Sequence, residues 1–304
     1  MASSSLDRKM DRLRERELAG ELGHSKRSRT FRKFNANKLA FVGGLIFLAI
    51  LVMCVFAPLF THWSSTTVDL RSRLAAPNAT HIMGTDQIGR DIWARILYGG
   101  RLSILVGLGS AIGAALIGVT LGTWAGYKGG FLDGAVMKLS ELLMSFPQII
   151  LVLILVSITG QSLWNIIFIF VLTGWPSMYR MTRSQMLSIR EEDFVQALRA
   201  FGIADIIIAF KHMLPNAVGP IFVNITLSTA MFILQESALS FLGLGVPSNI
   251  ATWGNILSPA QNITILRDSW WIWLPVGSAL TVFVLAINFI GDGLRDAADP
   301  SQMG

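Results

Sequence analysis

His81, Asp86 and Asp91 bring an imidazole and two carboxylates together in the string His81-Ile-Met-Gly-Thr-Asp-Gln-Ile-Gly-Arg-Asp91. Such donors can ligate a divalent cation, yet their spacing fits no zinc pattern and no fourth ligand accompanies them, so no metal site is expected. Glu236 is a carboxylate of a different kind, set in Gln235-Glu236-Ser237 inside an apolar run. A carboxylate within a membrane span costs about 2.5 to 3.5 kcal/mol on insertion scales, so it should face protein or water. Two readings of it stay open: a residue lining a translocation path or gate, and a group held by structural hydrogen bonds. The chain has no Gly-x-Ser-x-Gly, no helix with two metal-spaced histidines and no G-x-x-x-x-G-K-[ST] phosphate loop. By these signatures it is not an enzyme, and no catalytic residue, cofactor or metal is expected in it.

The remaining candidate, Glu191 to Asn216, would work by contact. Phe194, Ala197, Leu198 and Phe201 recur at i, i+3, i+4 and i+7, which makes an apolar face on a helix. Glu191, Glu192, Asp193 and Arg199 interrupt the stretch, so this amphipathic helix lies outside the bilayer. Gly202 follows the last periodic residue, where a left-handed C-cap is expected, and Asp205 is placed to cap a second short helix of Ile206, Ile207, Ile208, Ala209 and Phe210.

The elements around these residues are membrane spans. Hydrophobic residues make up 52% of the 304 and charged residues 14%, well below the roughly 25% of a soluble domain. The mean hydropathy of +0.55 agrees. Cys54 is the single cysteine and lies in an apolar run, so there is no disulfide framework and its expected role is packing. Residues 39–60 form an uncharged run long enough to span, better read as an uncleaved anchor than as a signal peptide. A polar segment, 61–101, separates it from a five-helix core, 102–290, with spans at about 102–127, 136–159, 163–178, 215–245 and 270–290. Asn249 to Asp268 is expected to be a polar outer loop, and residues 291–304 a C-terminal tail.

Two features distinguish the core helices. Gly109 and Gly113, then Gly118, Gly122 and Gly126, repeat every four residues, which lets another backbone approach closely. Pro147 interrupts the 136–159 run and should kink or restart it. The net charge of +6 does not point to nucleic acid, because eleven basic residues sit in the tail, 1–38, next to a span. That tail reads as a topogenic signal, with anionic lipid as its other conceivable partner. With both termini in the cytoplasm, 19 of the 25 Lys and Arg fall on the cytoplasmic side, as the positive-inside rule requires.

The spacing Gln196-Ala197-Leu198, three residues, Gly202, nine residues, His212-Met213-Leu214-Pro215 resembles the EAA signature of bacterial ABC importer permeases. That pattern is E-A-A, three residues, G, nine residues, I-x-L-P, and this chain departs from it at Gln196, Leu198 and His212. The string Gly84 to Ser103, the LSFLGLG at Leu239 to Gly245 and the tail GDGLRDAADP are similar to the second permease subunit of the dipeptide, oligopeptide and nickel importers. The resemblance implies an all-α integral membrane protein of six spans with the type I ABC importer permease fold, in the bacterial cytoplasmic membrane. It further implies coupling helices at 191–216, in which Phe194, Gln196, Ala197, Leu198, Phe201, Gly202, Asp205, Leu214 and Pro215 meet an ATPase. The implied partners are a homologous second permease, two ABC ATPase subunits that hold ATP and magnesium, and an extracytoplasmic substrate-binding protein. Peptides are the expected cargo, with nickel or another small solute as the alternative. An ion-coupled secondary transporter would need facing intramembrane carboxylates and usually an internal repeat. A non-transporting scaffold would leave the coupling-like segment unexplained.

Overall fold

Asn37 opens the first helix, α1 (Lys38–Val55), by accepting hydrogen bonds from the backbone N–H groups of Leu39 and Ala40. The computed structural model describes residues 37–298. The basic tail up to residue 36 and the end of the chain from residue 299 lie outside the described residues. A four-residue turn, Ala57–Phe60, follows α1 with Pro58 near its start. Pro58 has no N–H to offer the Cys54 carbonyl one turn back. Arg101 supplies the missing donor, its Nε reaching Cys54 O at 2.5 Å and its Nη2 reaching Val55 O at 2.9 Å.

The other main helices are α2 (Ile92–Lys128), α3 (Gly130–Met144), α4 (Gln148–Thr159), α5 (Leu163–Arg190), α6 (Asp193–Ala200), α7 (Val218–Phe241), α8 (Trp253–Leu257) and α9 (Trp270–Ala298). No strand occurs among the described residues beyond an isolated bridge between Thr85 and Asp91. Four helices, α1, α2, α7 and α9, are long and apolar enough to cross a membrane. The pair α3 and α4, bent by 87° at its break, makes a fifth if it is one span. Pro147 sits at that break, so the expected kink is nearly a right angle between separate helices.

The expected fourth span lies in α5, which is not among those apolar helices. Its apolar stretch stops at Tyr179-Arg180, and Arg183 and Arg190 follow. α5 instead buries Ile166, Ile169, Phe170, Trp175, Met178, Tyr179 and Met186, chiefly along α2. One face of α5 is thus packed on protein, while Trp164, Phe168 and Leu172 stay exposed on the other. Glycines make this contact close. A Cβ at Gly118, Gly122 or Gly126 would stand 2.6 to 2.7 Å from atoms of Met178, Tyr179 or Met186, all on α5. Gly109, expected to share the role, has nothing within 4 Å of its would-be Cβ and takes no part.

Three boundaries differ from expectation. α2 begins at Ile92, ten residues before position 102, because Asp91 caps it by accepting from Ala94 N at 2.7 Å. α9 runs on past Ile290 to Ala298, and Asn37 Nδ2 donates to its Asp296 at 3.0 Å, joining the two ends of the described chain. The segment 249–268 is no simple loop. It folds into α8 and the short helix Ile263–Asp268, with Trp253 fully buried and its Nε1 donating to Ile96 O at 3.0 Å. Asn255 helps hold this turn by donating to the carbonyls of Val246, Pro247 and Ile250, the second of which also accepts from Ile250 N.

Candidate functional site

α6 ends in a left-handed turn at Gly202, φ +72°, where Gly202 N bonds Arg199 O at 2.9 Å and Ile203 N bonds Leu198 O at 3.2 Å. These are the two reverse bonds of a Schellman cap, the geometry that calls for glycine. The chain then enters a helical turn, Asp205–Ile207, widens into a six-residue π-type turn, Ile208–Met213, and closes with Leu214–Asn216 before α7. Pro215 brings no N–H to this ladder, so the widened turn ends there and α7 starts anew.

Asp205 is not the cap it was expected to be. Ala204 holds that position, and Asp205 is the first helical residue. Its carboxylate reaches away to the end of α2, accepting from Tyr127 Oη at 2.7 Å and from Lys128 Nζ at 2.5 Å. The Lys128 hydrogen bond first, and the Tyr127 one second, hold the Asp205 carboxyl below the usual carboxylate range, so the link is ionised at neutral pH. The Arg199 guanidinium lies 4.8 Å over the Tyr127 ring and adds a cation–π contact from α6.

The faces of α6 also divide differently from the expected single apolar stripe. Val195, outside that stripe, is the fully buried residue, packed with Tyr127, Met186, Ile208, Ala209 and Met213, while Leu198 and Leu214 are half-buried against this cluster. Phe194 and Phe201 are 40% and 82% exposed, and Ala197 is exposed too. Ile206 and Ile207, assigned from the sequence to the second short helix but not to the contact surface, are exposed as well, as is Ile203. Gln196 stays exposed and donates to Glu191 O at 3.3 Å, a bond the Glu of the EAA pattern could not make. The segment therefore has an inner core fastened to α2, α5 and α7, and an outer apolar surface without a partner among the described residues.

Glu236 is 0% exposed on α7. Ser240 Oγ donates to one carboxylate oxygen at 2.7 Å and Ser103 Oγ faces the other at 3.4 Å. Ser103 Oγ in turn accepts from Trp253 N at 3.0 Å. This geometry favours the structural reading, in which Glu236 ties α7 to α2 and to the inserted 249–268 segment. Glu236→Gln keeps one acceptor oxygen for Ser240, so uptake is expected to stay within about twofold of wild type at normal expression. A loss of uptake from a normally assembled Glu236→Gln protein would restore the gate reading.

His81, Asp86 and Asp91 part company. His81 Nδ1 and Asp91 Oδ2 are 2.9 Å apart and buried, whereas Asp86 accepts from Arg90 Nε at 2.6 Å. The Trp63 ring lies tilted against the His81 ring, their centroids 4.7 Å apart. These contacts knot the segment before α2, and their chemistry is used in folding it.

Residues 118–303 match the family described as "Binding-protein-dependent transport system inner membrane component". Residues 25–77 match the "N-terminal TM domain of oligopeptide transport permease C". The chain is 40% identical over 272 residues to a dipeptide transport system permease protein of Alkalihalophilus pseudofirmus, covering 90% of this chain and 89% of that one. It is 37% identical over 268 residues to an oligopeptide transport system permease protein of Bacillus subtilis, covering 88% and 87%. Helices built for a membrane and a family match across most of them lead to one statement: this chain belongs to the binding-protein-dependent transport system inner membrane components, the permease family of ABC importers.

Proposed function

We propose that the chain is one half of the membrane pathway of an ATP-driven peptide importer. The observation that carries this reading is the outward patch of Phe194, Phe201, Ile203 and Ile206 on a segment pinned through Asp205 to α2. An apolar patch that a polar compartment would otherwise wet calls for a partner groove. The partner is an ABC ATPase, one of two, each holding ATP and magnesium that this chain has no motif to bind. A homologous second permease completes the pathway, and an extracytoplasmic binding protein delivers cargo. Peptide is the cargo because the relatives named for dipeptide and oligopeptide transport are 37% to 40% identical along nearly the whole chain. In this reading α5 is the sixth span, and both termini face the cytoplasm of a bacterial cell.

Uptake of a labelled dipeptide in cells, with copurification of the ATPase subunits, tests the function. A chain that carries no ATPase and supports no uptake would refute it. Orientation has its own test in a Cys54→Ala background. Ser72→Cys should react with an impermeant thiol reagent on intact cells and Ser188→Cys should not, since the positive-inside distribution puts them on opposite sides. Reaction at position 188 from outside would overturn the six-span arrangement.

A further inference from the structure

A cavity of about 400 Å³ opens between the α3–α4 corner, α5 and α7, and no charged side chain lines it. Asn224, Ser228, Met231 and Gln235 follow one another at i, i+4, i+7 and i+11, so they form one stripe of α7 on this side. Gln148 from α4 and Thr173 and Ser177 from α5 face it. At the far end of the stripe Gln235 Nε2 donates to Gln148 Oε1 at 3.1 Å and Gln148 Nε2 donates to Thr173 Oγ1 at 3.3 Å, while Gln235 Oε1 is buried without a partner among the described residues. At the other end Ser228 Oγ donates to Asn224 Oδ1 at 3.3 Å, while the Asn224 amide nitrogen has no acceptor among the described residues. Asn224 and Ser228 are half-buried, in the body of a membrane-spanning helix.

Groups of this kind turned toward lipid would be a net cost, so the groove must hold water, protein or cargo. Its chemistry narrows the choice of cargo. Nickel or a similar divalent ion is held best by imidazole, carboxylate or thiolate donors, and the lining offers only neutral amides, hydroxyls and thioethers. With no counter-charge in the lining, the groove offers nothing to the charged termini or side chains of a solute and can bond only its uncharged polar groups. Amides and hydroxyls, each both donor and acceptor, match the alternating N–H and C=O of a peptide main chain. Leu227, Met231 and Phe146 beside them give adaptable apolar contact to side chains of any type. We propose that this groove holds the main chain of the peptide in transit, with Asn224 and Ser228 as the hydrogen-bonding pair and the apolar lining indifferent to peptide sequence. The inference rests on the importer reading above and adds to it the site and the part of the cargo recognised. It also sets the path apart from Glu236, which does not line the cavity.

The test uses the complete transporter with its partners. In a Cys54→Ala background, Ser228→Cys should react with a small hydrophilic thiol reagent in the assembled complex. A saturating dipeptide, supplied with binding protein and ATP, should slow that reaction severalfold. Asn224→Leu should lower uptake of acidic, basic and apolar dipeptides alike by about tenfold, and Asn224→Gln should recover most of it. An unreactive Ser228→Cys in the assembled complex would mean that the second permease packs the groove shut, and would overturn the proposal. Reaction without protection by peptide, wild-type uptake by Asn224→Leu, or a loss confined to one class of dipeptide would each overturn the main-chain assignment while leaving the importer reading intact. Absence of ATP-dependent dipeptide uptake by the wild-type complex would instead remove the importer reading, and this proposal with it.

Discussion

Gly202→Val should give a chain that inserts normally, copurifies poorly with its ATPase subunits and transports no peptide. The position has φ +72°, and nothing lies within 4 Å of the Cβ that a substitution would add. The penalty is therefore one of backbone conformation alone. A left-handed β-branched residue costs roughly 1 to 2 kcal/mol, more than an exposed two-bond cap can absorb. The turn would reopen toward a right-handed conformation, and the 205–213 turn would leave the line set by the Lys128 and Tyr127 bonds to Asp205. Phe201 and Ile206, which stand on opposite sides of Gly202, would then no longer present one surface. Asparagine tolerates positive φ, so Gly202→Asn should retain both assembly and uptake. The measurement is ATPase copurification and dipeptide uptake in the same cells. Full assembly and full transport by Gly202→Val would show the segment to be only an interfacial loop.

Gly202 could be found in the sequence because a left-handed cap has almost one chemical solution, and that solution is printed at the end of a periodic run. Asp205 was misread for the opposite reason. An Asp before an apolar run is a good N-cap by local preference, and nothing local says that its partners are Tyr127 and Lys128, 78 and 77 residues away. Periodicity likewise reveals that α6 is amphipathic but not which apolar residues turn inward. On a segment held between its own membrane helices and an outside surface, both sides carry apolar groups, and Val195 was lost among them. The inserted 249–268 segment shows a further limit. Polar composition reads as a loop, yet Asn255 spends its amide on three backbone carbonyls and helps hold the turn beside the buried Trp253. The spans themselves were largely legible, since length and apolarity are local properties. The span in α5 was the least so, because its apolar stretch is short and Tyr179, Arg180 and Arg183 follow it within the same helix.

The other large effect is expected at Gly122, in the contact that gives α5 its place. A Cβ there would stand 2.7 Å from the Tyr179 carbonyl oxygen and 2.8 Å from Thr182 Cβ, and a backbone carbonyl has no rotamer by which to move aside. Gly122→Leu must therefore push α2 and α5 apart along their length, undoing the approach that Gly118 and Gly126 permit on either side. Helices in a bilayer associate through packing of this kind, without a hydrophobic drive between them, so lost contact is not offset by any other term. Overpacking typically costs 1 to 3 kcal/mol, and a backbone clash in the most extensive helix contact belongs at or above about 3 kcal/mol. The expected result is loss of monodisperse protein in mild detergent and a large fall in Tm, with no transport. Gly109→Leu, on the same helix but with open space around its would-be Cβ, should leave the chain folded with little change in Tm. Equal tolerance at both positions would mean that α2 and α5 do not meet through their glycines. α5 leads directly into α6 and the 205–213 turn, so this contact also sets where the surface proposed to meet the ATPase stands. A Gly122→Ala chain, strained but still folded, should accordingly lose ATPase copurification before it loses membrane insertion.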